Sequence, residues 1–402
     1  MTATQPVDRW DEDYDIFDPG YVAEPYRVWD ELRSTCPVAH TDRWGGSWMP
    51  TRYEDVSAVA HDTEHFSSDE VTVVGPDREA EAELGLQDVK APPITSDPPE
   101  HQWARRLLLP AFSPKSVARY ESVTRELCAE LIEGMLAEGR GDAAAGYAQH
   151  IPVRVIGKML GIPDSMAGTF TEWVRGVLEL GLQDPEIRTQ SFVAITHYFM
   201  EQVADRRQNP KDDLITELLA ADVDGQPVPE AHVVGTCNLI LIAGIDTTWS
   251  AIGSSLFHLA THPDDRRRLV ADPALLPLAI EELLRAYSPV TMARIVKEEV
   301  ELNGRTMCPG ERVLLSFPAA NRDPEAFERA DEVLIDRERN RHIAFGAGIH
   351  RCAGSNLARM ELPVAIEEWL ARIPEFSLED PAAVTWAGGQ VRGPRTLPVV
   401  FS

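Results

Sequence analysis

The sequence predicts a mainly helical chain with a smaller strand-rich part, and three observations lead to that reading. Apolar residues recur at helical spacing over long stretches, above all 229–261 and 353–373. Between residues 294 and 317 the pattern becomes alternating, punctuated by Asn303-Gly304 and Pro309-Gly310, which reads as strands joined by turns. No composition break, Gly/Ser linker, repeat or low-complexity tract divides the 402 residues, enough for a large core, so a single domain is expected.

The N-terminal residues 1–14 are polar and acidic, carry no apolar signal-peptide core, and are expected to be flexible. Pro25 to Cys36 and Glu54 to His61 read as short helices, with a strand around Trp48 to Thr51. Phe66 to Thr95 is acidic and irregular; a loop of that length in a compact domain is usually functional or disordered. Asp97-Pro98-Pro99-Glu100-His101 is a helix start, with Asp at the cap and prolines in the first turn. His101 and Arg105 then share a helix face, either to bind an anionic group or as a plain polar surface.

Ser116 to Glu138, Tyr147 to Leu160 and Ser165 to Leu182 have helical spacing. Asp184-Pro185 caps a helix running to about Arg207, and Asp212 to Ala221 is a short one. Pro229 to Thr261 is the longest helical pattern and holds Ala243-Gly244-Ile245-Asp246-Thr247-Thr248 in an apolar run. Gly, Asp and two Thr break local helix rules there, and such violations concentrate at functional sites. The structural alternative is a Thr bonding back to a helix carbonyl and an Asp paired to a distant Arg. Ala279 to Tyr287 forms a further helix, placing Glu282 and Arg285 three residues apart as neighbours.

The formal charge is 38 − 65 = −27, a surface that repels nucleic acid and anionic lipid; neither is expected as a partner. The longest apolar stretch, around Leu239 to Ile245, is cut by Asp246 and falls short of a membrane span. Five cysteines, odd in number and without a CxxC pair, point to a reducing cytoplasm, and no Cys/His cluster suggests zinc.

The most informative stretch is Phe345-Gly346-Ala347-Gly348-Ile349-His350-Arg351-Cys352-Ala353-Gly354. One cysteine sits in a glycine-rich turn directly before a helix-forming run, Ala353 to Ile373. A helix N-terminus favours the thiolate, the form that binds iron. The plain alternative is a buried structural cysteine in a strand-to-helix turn.

The whole string, F-G-x-G-x-H-x-C-x-G, resembles the proximal loop of the cytochrome P-450 haem-thiolate monooxygenases of soluble bacterial type. The likeness runs from about Asp15 to Phe401. It includes the propionate-binding helix at His101 and Arg105, the oxygen-activating hexapeptide at 243–248 and the E-x-x-R pair, in family order. Val333-Leu334, Cys308 and Arg339 depart from the usual pattern.

The resemblance implies one mainly helical haem domain over residues 1–402 with a small β-rich lobe, haem lying between the long central helix and the Cys loop. It implies haem b with Cys352 as iron ligand. His101, Arg105, Arg294 and His350 would neutralise the propionates, and Phe345, Gly346 and Ala243 would lie against the cofactor. Gly244 would let the helix open over the iron, Thr247 would hydrogen-bond the O2 co-substrate, and Asp246 would relay protons. Glu282, Arg285 and Arg337 would support the Cys loop. Leu239, Ile242, Ala243, Val290 and Met292 would line an apolar substrate pocket roofed by Thr169 to Thr196, implying a small or medium apolar organic substrate. The segment 66–95 could add a charge to that pocket.

Electrons are expected from NAD(P)H through a ferredoxin reductase and a ferredoxin, since no flavin or iron–sulfur motif is present. Arginines 337, 339, 341, 351 and 359, with Glu338 the one acid among residues 337–359, form a basic island suited to such a partner. A cytoplasmic monomer is expected. A peroxide-driven peroxygenase, whose relatives usually lack the Asp-Thr pair, and a non-catalytic haem sensor or carrier are the alternatives.

Overall fold

Turn residues and strand alternation between residues 291 and 316 organise one part of the molecule, and a buried helix organises the other. A computed structural model describes residues 6–76, 82–83 and 89–401. They form two units, each assembled from three separated stretches of chain, so no single linker marks a boundary in the sequence.

The first unit takes in Met1–Gly75, Pro277–Cys352 and Thr385–Gly393. Its sheet has five strands in the order Val38–Thr41, Ser47–Pro50, Arg312–Ser316, Thr291–Val296, Phe66–Ser67. Arg312–Ser316 pairs antiparallel with Thr291–Val296, Val313 opposite Arg294, and is buried throughout. Strands covered on both faces need no alternation. Asn303 and Gly304, both at positive φ, close the hairpin Val300–Leu302 with Arg305–Met307, as their chemistry demands. Val38, Val59, Phe66, Val313, Leu315 and Phe317 share its apolar core. Trp10–Asp13 is a helical turn, and Tyr14 and Asp15 beside it are buried; of the expected flexible segment, residues 1–5 lie outside the described residues.

The second unit takes in Pro76–Leu276, Ala353–Val384 and Pro394–Ser402. Its axis is the 32-residue helix Glu230–Thr261, apolar on nearly every side and buried accordingly. By length and composition that helix could cross a membrane, contrary to the sequence reading; 72% of its most apolar window is buried inside the protein. A three-stranded sheet in the order Phe376–Leu378, Pro398–Phe401, Arg140–Asp142 closes one side of the unit.

Several boundaries differ from expectation. The helix at 97–101 begins at Glu100; Asp97 lies outside it, and its carbonyl accepts from the His101 N–H. The pattern from Ser116 is split: Pro114–Val117, started by Ser113 and Pro114, ends in a tight turn before Glu121–Leu136. The 66–95 segment contributes Glu70 to an ion pair with Arg312, while 77–81 and 84–88 lie outside the described residues.

Candidate functional site

Cys352 ends a loop whose course is set by glycine and backbone bonds. Gly346 and Gly348 take φ of 73° and 66°, and a Cβ on Gly348 would sit 2.3 Å from the Ala60 carbonyl oxygen. The Cys352 N–H donates to the Phe345 carbonyl at 2.7 Å. The helix that follows starts at Ser355 with Gly354 at its cap, so the cysteine precedes it by three residues rather than opening it. The Cys352 thiol is exposed on its unit; Cys36, Cys128 and Cys237 are buried and have the character of core residues.

The loop hangs from a buried ionic hub. Arg285 grips both Glu282 oxygens at 2.8 Å, and neither side chain has any exposure. Arg337 Nε reaches Glu282 Oε2 at 2.8 Å, closing the expected triad. Two partners were not foreseen: the Leu334 N–H, 2.8 Å from Glu282 Oε1, and Asn340 Nδ2, 3.1 Å from Oε2. Arg285 also donates to the carbonyls of Asn321, Ala330 and Glu332. Asn321 in turn accepts from the Ile343 N–H at 2.8 Å, the first residues of the cysteine loop. A buried pair with every lone pair and proton used can hold its place.

Nearby in the same unit, Arg294 is buried on the strand Thr291–Val296 and donates to the Ala293 carbonyl. His350 Nε2 lies 2.9 Å from Ser68 Oγ, a partner no local signal announced. Val290 and Met292 are half-buried.

In the second unit His101 is buried and Arg105 half-buried on the helix Glu100–Leu108, one turn apart. The central helix carries one less covered stripe. Leu239, Ile242, Ala243, Gly244 and Thr247 are half-buried, whereas their neighbours 240, 241, 245 and 246 are buried. Four of these five are apolar or glycine, and the spacing 239, 243, 247 is that of one helix face. The helix is continuous here: Thr247 Oγ1 donates to the Ala243 carbonyl at 2.8 Å. A Cβ on Gly244 would meet Ile156 Cδ1 at 2.7 Å, so this glycine serves close packing rather than an opening.

Asp246 is fully buried and tied to the last strand region. Arg395 Nη2 is 3.0 Å from its Oδ2, and Ser250 bridges Asp246 and Arg395 at 3.2 and 3.1 Å. Arg395 Nε also reaches Glu179 at 2.8 Å, and Arg175 donates to both Glu179 oxygens. Burial pushes the Asp246 carboxyl up, against the pull of Arg395. Burial opposes ionisation of Glu179 too, but the Arg175 hydrogen bond and the Arg395 charge hold it below its usual range. Both contacts of the structural alternative for this motif are therefore present.

These residues suit a haem. An exposed thiol on a glycine loop is the donor such an iron takes. In the first unit Arg294 and His350 have the chemistry its carboxylates take; in the second, His101 and Arg105 have it as well, and the half-buried stripe of that unit offers an apolar face to a flat ligand.

A family model described as "Cytochrome P450" matches residues 185–382. Among curated proteins, the mycinamicin IV hydroxylase/epoxidase of Micromonospora griseorubida is 36% identical over 380 residues, covering 92% of this chain and 94% of that protein. The vitamin D(3) 25-hydroxylase of Pseudonocardia autotrophica is 34% identical and covers 91% of each. Among solved structures, cytochrome P450 CREJ in complex with (4-ethylphenyl) dihydrogen phosphate superposes with a TM-score of 0.89 at 28% identity, covering 97% of this chain and 99% of that one.

Proposed function

The chain belongs to the cytochrome P450 family and is a monooxygenase of it; from that premise we propose that it inserts one atom of O2 into a small or medium apolar organic compound, by hydroxylation or oxidative dealkylation. Haem, bound through Cys352, supplies the oxygen activation when present. The observation that carries the reading is the exposed Cys352 at the end of a loop fixed by the buried Glu282–Arg285–Arg337 hub.

In this reading the chain acts as a single haem domain, and His101, Arg105, Arg294 and His350 pair with the propionates. Phe345, Gly346 and Ala243 lie against the ring. Asp246 holds and passes a proton, and Thr247, by releasing the Ala243 carbonyl, directs it. Leu239, Ile242, Ala243, Val290 and Met292 present apolar surface to the substrate. The relatives' names support an organic substrate: mycinamicin IV for one, vitamin D3 for another.

Electrons come from NAD(P)H through a reductase and a ferredoxin, in the cytoplasm. Arg339, Arg341 and Arg351 are exposed, and Arg341 and Arg351 border an open cleft with Tyr53, His61 and Ile349; Arg337 is spent on Glu282.

The test is the absorption spectrum of dithionite-reduced protein with carbon monoxide. A strongly red-shifted Soret band that Cys352→Ser abolishes supports the reading; an unshifted band, or one indifferent to that substitution, overturns it.

A further inference from the structure

Gln390 is a polar side chain only 4% exposed in a region otherwise apolar. Its Oε1 accepts from the Val73 N–H at 2.8 Å. Its Nε2 donates to the Val71 carbonyl at 3.3 Å and to the Met292 sulfur at 3.2 Å. Its main chain is engaged as well: the Gln390 carbonyl accepts from the Thr291 N–H at 3.0 Å, and Val391 bridges Val290. One side chain thus joins three stretches far apart in sequence, and all of them belong to the first unit.

The groups it joins matter. Val290 and Met292 are the pocket residues proposed from that unit, and Val71 beside them is likewise half-buried. Ala293 N–H also bonds the Val71 carbonyl, so residue 71 is tied to the strand Thr291–Val296 as well as to Gln390. A buried amide with both ends used fixes its neighbours, because releasing either end strands a polar group. An apolar side chain of the same size would fill the space and leave the Val73 N–H and Val71 carbonyl without that clamp.

We propose that Gln390 is a positioning residue for substrate selectivity: it sets where Val71 and Met292 stand, and through them the shape of the apolar wall. The proposal rests on the monooxygenase reading and deepens it.

Two iron-coordinating probes separate the possibilities. Imidazole is small and reports the iron alone; 4-phenylimidazole adds a ring that must meet the wall. In Gln390→Leu the carbonyl Soret band and the imidazole affinity should match the parent within about twofold, while 4-phenylimidazole affinity changes about fivefold or more, the worth of one buried hydrogen bond. Amide exchange at Val73 should accelerate by a similar factor in the same variant. If Gln390→Leu does not fold, the isosteric Gln390→Glu, which keeps the Val73 acceptor and loses both donors, carries the same test. Equal shifts for both probes, or none, overturn the selectivity role. A parent protein that binds neither probe through iron instead overturns the monooxygenase reading.

Discussion

Arg395 and Asp246 are 149 positions apart in sequence and hydrogen-bonded at 3.0 Å, with Asp246 fully buried. The acid of the central helix is therefore not a free carrier. It is held by a guanidinium whose Nε is committed to Glu179, and the line continues through Arg175 toward solvent, side-chain exposure rising from 0% at Asp246 through 8% and 16% to 36%. Replacing Arg395 with Leu should remove the main pull against burial and drive the Asp246 carboxyl further up. The alkaline limb of the pH–rate profile should then move to higher pH, because the carboxyl keeps the proton it passes on over a wider range. An unmoved limb would separate Asp246 from proton delivery.

The hub at Glu282 makes a second, structural expectation. Arg285→Leu removes two of the five hydrogen bonds to the Glu282 carboxylate and one of its two arginines in a site of no exposure. Breaking such a pair costs about 3–5 kcal/mol. The variant should melt well below the parent and fail to retain haem, whereas a surface pair such as Arg329–Glu332 can be removed with little effect. Thermal unfolding followed by circular dichroism, together with the haem-to-protein absorbance ratio, decides this.

Glu361 sits 1% exposed on the helix Ser355–Arg372, and neither carboxyl oxygen has a hydrogen-bond partner among the described residues. Burial pushes its pKa from 4.5 up to about 8. The folded state thus keeps a proton that the unfolded chain releases. Stability should fall as pH rises from about 4.5 to about 8, by at most ~5 kcal/mol, and then level off. Glu361→Gln should flatten that slope and be the more stable form at pH 8.5. Urea unfolding at pH 5.5, 7 and 8.5 measures it.

For the exposed arginines, charge reversal at Arg339, Arg341 and Arg351 should slow reduction by an acidic ferredoxin at low salt by about tenfold or more, leave reduction by dithionite unchanged, and lose its effect as salt rises. Equal ferredoxin rates in parent and variant at low ionic strength would rule this face out.

What was legible in the sequence was punctuation and period. Asp184-Pro185 caps its helix, Asn303-Gly304 turns its hairpin, and Glu230–Thr261 is one uninterrupted helix, because these depend on residues close in sequence. The glycine-rich cysteine loop was legible for the same reason. Arg395, Gln390 and Asn340 were not, since their partners stand 149, 317 and 58 positions away, and nothing local distinguishes them from surface residues. Glu361 was hidden differently. It lies four residues after Leu357, on the buried face of its own helix, but its charge removed it from an apolar count. Helix starts at 97 and 116 were misplaced because proline and serine signals there begin short turns before the longer helices.

The grip of Arg285 and Glu282 on residues 321 to 334 falls on main-chain atoms: the carbonyls of Asn321, Ala330 and Glu332 and the N–H of Leu334. A peptide group is the same whatever side chain it carries. Substitution at residues 332 to 334 is therefore cheap as far as the hub is concerned, and a lineage can drift there, as with Val333-Leu334, while the cysteine stays in register; Asn321, whose side chain accepts from Ile343, has no such freedom. Divergence should accumulate around the hub and spare its three charged residues, so that residues 332 to 334 look poorly preserved in sequence while their backbone path is inherited intact.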